Sequence, residues 1–186
     1  LEEAPEQLRE RNHAILANHC ADERLLRGFL ADGAYSPTLQ VEFTDLYVQL
    51  APAGGCEALL ETALMAADEA QARFVVNGLR LMLHALGPDS GGGTFVPQGA
   101  LLAYQTTGGE FVLPLAVDWL AWTPQIRRWF DLPTVGNRPH RTLLVAGAIS
   151  PKAESELTER GWSLVQRLPY PGAPPYRRAL DFAPAD

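Results

Sequence analysis

Apolar positions in the first part of the chain recur at helical spacing. From Pro5 to about Asn18, Leu8, Ile15 and Leu16 stand among charged and polar residues, and Pro5 suits a first turn, so the pattern predicts an amphipathic helix. A second, short helix follows, with Asp22 as its cap, Leu25, Leu26, Phe29 and Leu30 as its apolar face, and Asp32-Gly33 as its end. The two make a helical hairpin. Leu39 to Leu50 fits both periods: Leu39, Phe43, Leu46 and Leu50 at helical spacing, Leu39, Val41 and Phe43 as a strand would alternate; we read it as helix. After the break at Pro52-Ala-Gly-Gly55, one long helix is expected from Glu57 to Leu86, stopped by Gly87-Pro88. From Phe74 onward it is apolar on most sides, which places it across the centre of the fold.

The pattern then changes to period two. Ala100 to Thr106 and Glu110 to Trp119 flank Thr107-Gly108-Gly109 as a hairpin, with Phe111, Leu113, Leu115, Val117 and Trp119 on one face. Pro114 has no N–H for a ladder, so this strand is expected at a sheet edge or with a local break. Thr123-Pro124 starts a short helix through Asp131, with Ile126, Trp129 and Phe130 inward, and Leu132 to Arg141 reads as loop. Thr142 to Ile149 reads as a buried strand, Ser150-Pro151 opens a helix that Gly161 closes, and Trp162 to Leu168 forms a strand parallel to the first. The class is therefore α+β: N-terminal helices packed on a small mixed sheet made of a β-hairpin and a C-terminal strand-helix-strand unit, one domain over residues 1–168. Residues 169–186 hold five prolines and read as an extended tail.

Composition narrows the function classes. A net charge of -7 and a pI near 5.1 argue against a nucleic-acid partner, which needs a basic stripe to displace counterions. No apolar run suits a membrane span, since even Phe74 to Leu86 is interrupted by Asn77, Arg80 and His84. Lys152 is the only lysine among 15 basic residues, a skew that GC-rich coding commonly produces. Cys20 and Cys56 permit one disulfide, worth about 4 kcal/mol in the chain-entropy model, and so an oxidising, extracytoplasmic location, periplasmic or secreted. A first residue Leu1, such as removal of a signal peptide or a tag leaves, adds a lean in the same direction.

The chemistry-bearing residues are few. Glu69, Arg73, Asn77, Arg80 and His84 recur at spacings that put them on one helix face, where paired guanidinium donors suit a carboxylate or phosphate; a solvated stripe with a Glu69–Arg73 ion pair has the same spacing. Trp119, Trp122 and Trp129 cluster around Thr123-Pro124, either as an aromatic wall or as packing between sheet and helix. Asp118, in an otherwise apolar stretch, is a candidate buried carboxylate. His13, His19, His84 and His140 lack metal-ligand spacing, the Gly87 to Gly93 run lacks the Lys and Ser/Thr of a phosphate loop, and no nucleophile elbow is present; no metal or cofactor is implied.

Three functions follow from these features. The leading one is a non-catalytic extracytoplasmic protein-interaction or accessory domain, offering a partner protein the Pro114 strand and the tail with Tyr170 and Tyr176. The alternative is a small-ligand binding domain for an anionic or amphipathic molecule, using Arg73, Asn77, Arg80, His84, Trp119 and Trp122. A weaker third is a hydrolase or transferase built on Asp118 and His84.

Overall fold

Side-chain caps set the helix starts. In the computed structural model, which describes residues 4–173, α1 (Pro5–Leu16) opens on a proline, and the Asp22 carboxylate accepts from the Arg24 and Leu25 amides at the start of α2 (Glu23–Ala31). Ser36 caps α3 (Pro37–Leu50), so the helical period of Leu39 to Leu50 prevails over the alternating one. The long helix expected from Glu57 is instead two, α4 (Cys56–Leu64) and α5 (Glu69–Leu86). Asp68 is the reason. Its carboxylate accepts from the Gln71 amide while the Gln71 side chain accepts from the Ala67 amide, which satisfies the donors of a new helix start and makes a break cheap.

A 3₁₀ turn (Gly87–Ser90) leads into β1 (Thr94–Phe95), β2 (Tyr104–Gln105) and β3 (Phe111–Leu115). The hairpin between β2 and β3 turns through Thr107-Gly108-Gly109 as expected, with the Thr106 and Glu110 backbones paired. Next come β4 (Trp119–Leu120), α6 (Pro124–Phe130), α7 (Pro133–Gly136), β5 (Arg141–Val145), β6 (Ala148–Ile149), α8 (Pro151–Glu159) and β7 (Trp162–Val165). The α7 turn lies within the stretch expected to be loop. The main sheet has the order β1-β2-β3-β5-β7, with β3, β5 and β7 mutually parallel.

Pro114 is accordingly not at a sheet edge, because β3 is the third of five strands. The sheet tolerates it through local geometry. The Phe111 amide donates to the His140 carbonyl, and the Leu115 carbonyl accepts from Ala146, so odd-numbered residues of β3 face β5 and Pro114 faces the β2 side. There β2 pairs only with Phe111 and Val112, and ends before reaching Pro114. The missing donor therefore costs no ladder bond.

Both parallel strands break: the one carrying Pro114, for which a local break was the alternative to an edge, and Thr142 to Ile149, which was expected to be continuous. The β3 line resumes as β4 and the β5 line as β6, paired with Trp119 opposite Ala148 and Leu120 opposite Ile149. Gly147 permits it, since a Cβ there would lie 1.9 Å from the Asp118 carbonyl oxygen. The break takes Trp119 off the face shared by Phe111, Leu113 and Leu115.

Three apolar interiors result. Helices α1 to α5 enclose Leu16, Phe29, Phe43, Tyr47 and Leu60, and this core reaches the sheet at Phe95 and Tyr104. On one face of the sheet Leu81 of α5 packs with Val112, Leu144, Ala146 and Tyr170; on the other, Ala153 and Leu157 of α8 meet Phe111, Leu113, Leu143 and Trp162. Helix α5 contributes to all three, through Val76 and Leu79, Leu81, and Phe74 respectively, which makes it the central element expected from its composition.

Cys20 and Cys56 form a disulfide, with Cα atoms 5.2 Å apart, tying the end of α1 to the start of α4. Among the described residues no helix is long and apolar enough to cross a membrane. Beyond β7 the chain folds back: Tyr170 is buried, so the first residues of the Pro-rich segment lie against the domain. Tyr176 lies outside the described residues.

Candidate functional site

The polar stripe of α5 divides into an exposed end and a lined groove. Arg73 is exposed and ion-paired to Glu69 at 2.6 Å. Arg80 is different. Its side chain is only 25% exposed and crosses to α3, where Nη2 lies 2.8 Å from a Glu42 carboxylate oxygen, while Nη1 donates to the Asn77 side-chain oxygen at 3.4 Å. One turn further along α5, His84 stands exposed beside it.

Arg80 and His84 line a groove of about 350 Å³ between α3 and α5, together with Leu46, Gln49, Leu83 and Pro171. Leu46, Leu83 and Pro171 are its apolar lining and Gln49, Arg80 and His84 its polar lining. The returning C-terminal segment lies against Arg80. Gly172 approaches so near that a Cβ there would lie 3.3 Å from Arg80 Nη1, so a larger residue would push the guanidinium aside. Asn77 touches Arg80 without lining the groove, and Arg73 does neither.

The tryptophans belong elsewhere. Trp122 lines a second cleft, of about 570 Å³, between α6 and α8, with Thr123, Pro124, Arg127, Arg128, Asp131, Lys152 and Glu156. Trp119 is half-buried on β4 and lines neither cleft. Sheet and α5 therefore separate the two sets of residues that the sequence had suggested for one ligand, the α5 cations and the tryptophans.

Arg160 organises the second cleft from behind. Its Nε donates to Asp131 at 2.8 Å, its Nη1 to Glu156 at 2.7 Å, and its guanidinium lies 4.8 Å from the centre of the Trp122 ring. The hydrogen bond from Arg160 holds the Asp131 carboxyl below its ordinary range; those from Lys152 and then Arg160 do the same for Glu156. Both carboxylates are thereby ionised and already engaged.

Asp118, expected to be buried, is exposed; its backbone oxygen accepts from Ala148, and this contact rather than its carboxylate is what the structure uses. No group of three or more His, Cys, Asp and Glu among the described residues has a metal-holding arrangement. The largest shifts fall on core tyrosines: burial raises the Tyr35 hydroxyl most, with Asp32 adding to it, and pushes the Tyr47 hydroxyl up to about 12, with Glu57 adding to it.

Sequence reasoning passed over Arg127, Arg128, Asp131, Lys152, Glu156 and Arg160. A local signal existed in Trp122-Thr123-Pro124, where a capped helix start is followed by adjacent arginines. Glu42, Leu46 and Gln49 left none, because only the packing of α3 on α5 brings them to Arg80. Comparison with protein-family models, with curated proteins and with solved structures returns no match for this chain.

Proposed function

We propose that this chain is a non-catalytic binding domain of an oxidising, extracytoplasmic compartment, and that its α3–α5 groove holds a small amphipathic acid. The observation that carries the reading is the half-buried Arg80 guanidinium in a groove that it lines with Gln49 and His84 beside the apolar Leu46, Leu83 and Pro171. Guanidinium has five N–H donors, and the contacts to Glu42 and Asn77 engage two of its nitrogens, leaving donors for a ligand carboxylate. Leu46, Leu83 and Pro171 supply the surface that an alkyl or aryl body would cover. A permanently charged guanidinium orients an anion but exchanges no proton with it, which supports a binding role for Arg80. The Cys20–Cys56 bridge supports the compartment.

Calorimetric titration with octanoate tests the groove. Saturable binding is expected, weaker with butyrate, which covers less apolar wall, and weaker with octanol, which lacks the charge. Arg80→Ala is expected to reduce octanoate affinity about tenfold or more. Equal affinity for octanoate and octanol, or no effect of Arg80→Ala, would sink the proposal.

A protein-interaction role keeps one specific surface. Tyr170 is buried in the fold and Pro114 is interior to the sheet, but β7 is an outermost strand on which Ser163 is exposed and Val165 is 39% exposed. An extended partner segment has a template there. Under this reading Val165→Asp abolishes capture of a partner that the unaltered domain retains, while Arg80→Ala does not.

A further inference from the structure

The second cleft lies where two parallel chain segments end. Strands β4 and β6 pair in parallel, and each runs within a few residues into a helix, α6 and α8 respectively, so that the two helices flank one opening. Outside the carboxyl ends of parallel strands, loops and helix starts diverge and leave room for a ligand.

The charge of this opening is opposite to that of the protein. Arg127, Arg128 and Lys152 line it against Asp131 and Glu156. Within the cleft Arg127 pairs with Asp131 at 3.5 Å and Lys152 with Glu156 at 2.7 Å, and Arg160, which is not itself in the lining, adds a further cation to both carboxylates from behind at 2.8 and 2.7 Å. A positive excess is left facing solvent in a chain of net charge -7. Arg128 is exposed and has no ion-pair partner among the described residues, which leaves its whole donor fork available. The excess favours a doubly charged anion, and a phosphate group offers three acceptor oxygens where a carboxylate offers two.

Trp122 supplies the second half of the recognition. Its ring is held by Phe130, with centroids 6.1 Å apart, and by the Arg160 guanidinium, so it is fixed before any ligand arrives. The ring surface left in the lining is a flat platform for another planar group. We infer that the α6–α8 cleft binds a small phosphate monoester carrying a planar substituent, its phosphate held by Arg128, Arg127 and Lys152 and its ring against Trp122. This site is separate from the α3–α5 groove and does not depend on the function proposed for it.

Phenyl phosphate is the probe, followed by calorimetry and tryptophan fluorescence, with inorganic phosphate and benzoate as comparators. Phenyl phosphate is expected to bind saturably and more tightly than either comparator. Arg128→Glu, at an exposed position whose change leaves the fold intact by circular dichroism, should weaken it at least about tenfold. Arg80→Ala should leave it unchanged. Absence of saturable binding, or affinity unaltered by Arg128→Glu, overturns the inference. Benzoate binding as tightly as phenyl phosphate overturns the phosphate assignment, and inorganic phosphate doing so overturns the role of Trp122.

Discussion

Helices α1 to α4 surround an interior of rings and branched side chains, whereas α6 and α8 meet across a seam of charged groups. In the first region Phe29 packs on Phe43 with ring centroids 4.5 Å apart and on Tyr35 at 4.9 Å, and the Tyr35 hydroxyl donates to the Ala63 carbonyl at 3.0 Å. A disulfide closes it. In the second, one guanidinium joins Asp131, Glu156 and Trp122, and a cleft of about 570 Å³ stays open beside them. Close packing suits a closed interior, because dense interiors lose contacts for every void. A charged seam is compatible with an opening, since its members remain partly hydrated. Two open clefts lie at element boundaries: one between α6 and α8, the other where α3, α5 and the returning chain meet.

One glycine substitution in the sheet and one in the helical region should give effects of opposite sign. Gly147→Ala drives a Cβ to within 1.9 Å of the Asp118 carbonyl oxygen and should cost about 3 kcal/mol or more. Gly28→Ala, on the helical backbone of α2, meets nothing nearer than Leu64 at 3.8 Å and should stabilise by up to about 1 kcal/mol. Urea denaturation of both variants reads the signs. A mild effect of Gly147→Ala would mean that the β3–β4 and β5–β6 breaks are not held in register by that close approach.

Removing the staple comes next. Replacing Cys20 and Cys56 together by Ala should lower stability by about 4 kcal/mol in the chain-entropy model. Hydrogen exchange should then show accelerated opening in α1, α2 and α4, with the α6–α8 seam retaining its protection. Uniform acceleration across the chain would show that the two regions unfold as one unit and would blunt the contrast drawn between them.

Acid should act on the seam through two carboxylates, where the helical region has one, Glu23, held low by Arg27 and His13. Asp131 and Glu156 titrate below their ordinary values of 3.8 and 4.5, so they contribute stability above those values and lose it as pH falls through the lowered ones. Exchange protection in α6 and α8 should therefore decline as acid is added below those values. Arg160→Ala should reduce that acid dependence, because it removes the partner that both carboxylates share. An unchanged acid profile in the variant would show that Lys152 and Arg127 hold the carboxylates without it.

Legibility of the sequence followed the range of the interactions. Asp22, Thr123-Pro124 and Ser150-Pro151 marked helix starts correctly because a cap acts within three residues of itself. Asp68 sent the same kind of signal and was masked by the apolar run on either side, so two helices read as one. Of the suggested ligand residues, Arg80 and His84 do share a groove, since one turn of helix is local geometry. Trp122 does not join them. Nothing local says on which face of a sheet a residue's element will pack.

By itself, then, the sequence determined the α+β class, most helix starts, the hairpin, the parallel pairing of the last two strands of the main sheet and the central position of α5, all of them consequences of period, capping and hydrophobic patterning. Tertiary structure alone decided that Pro114 lies inside the sheet, that Glu42 meets Arg80, and that Arg160 gathers Asp131 and Glu156 beneath Trp122. Each of these depends on residues far apart in the chain finding one another across packed layers, and side-chain periodicity carries no information about which layers will meet.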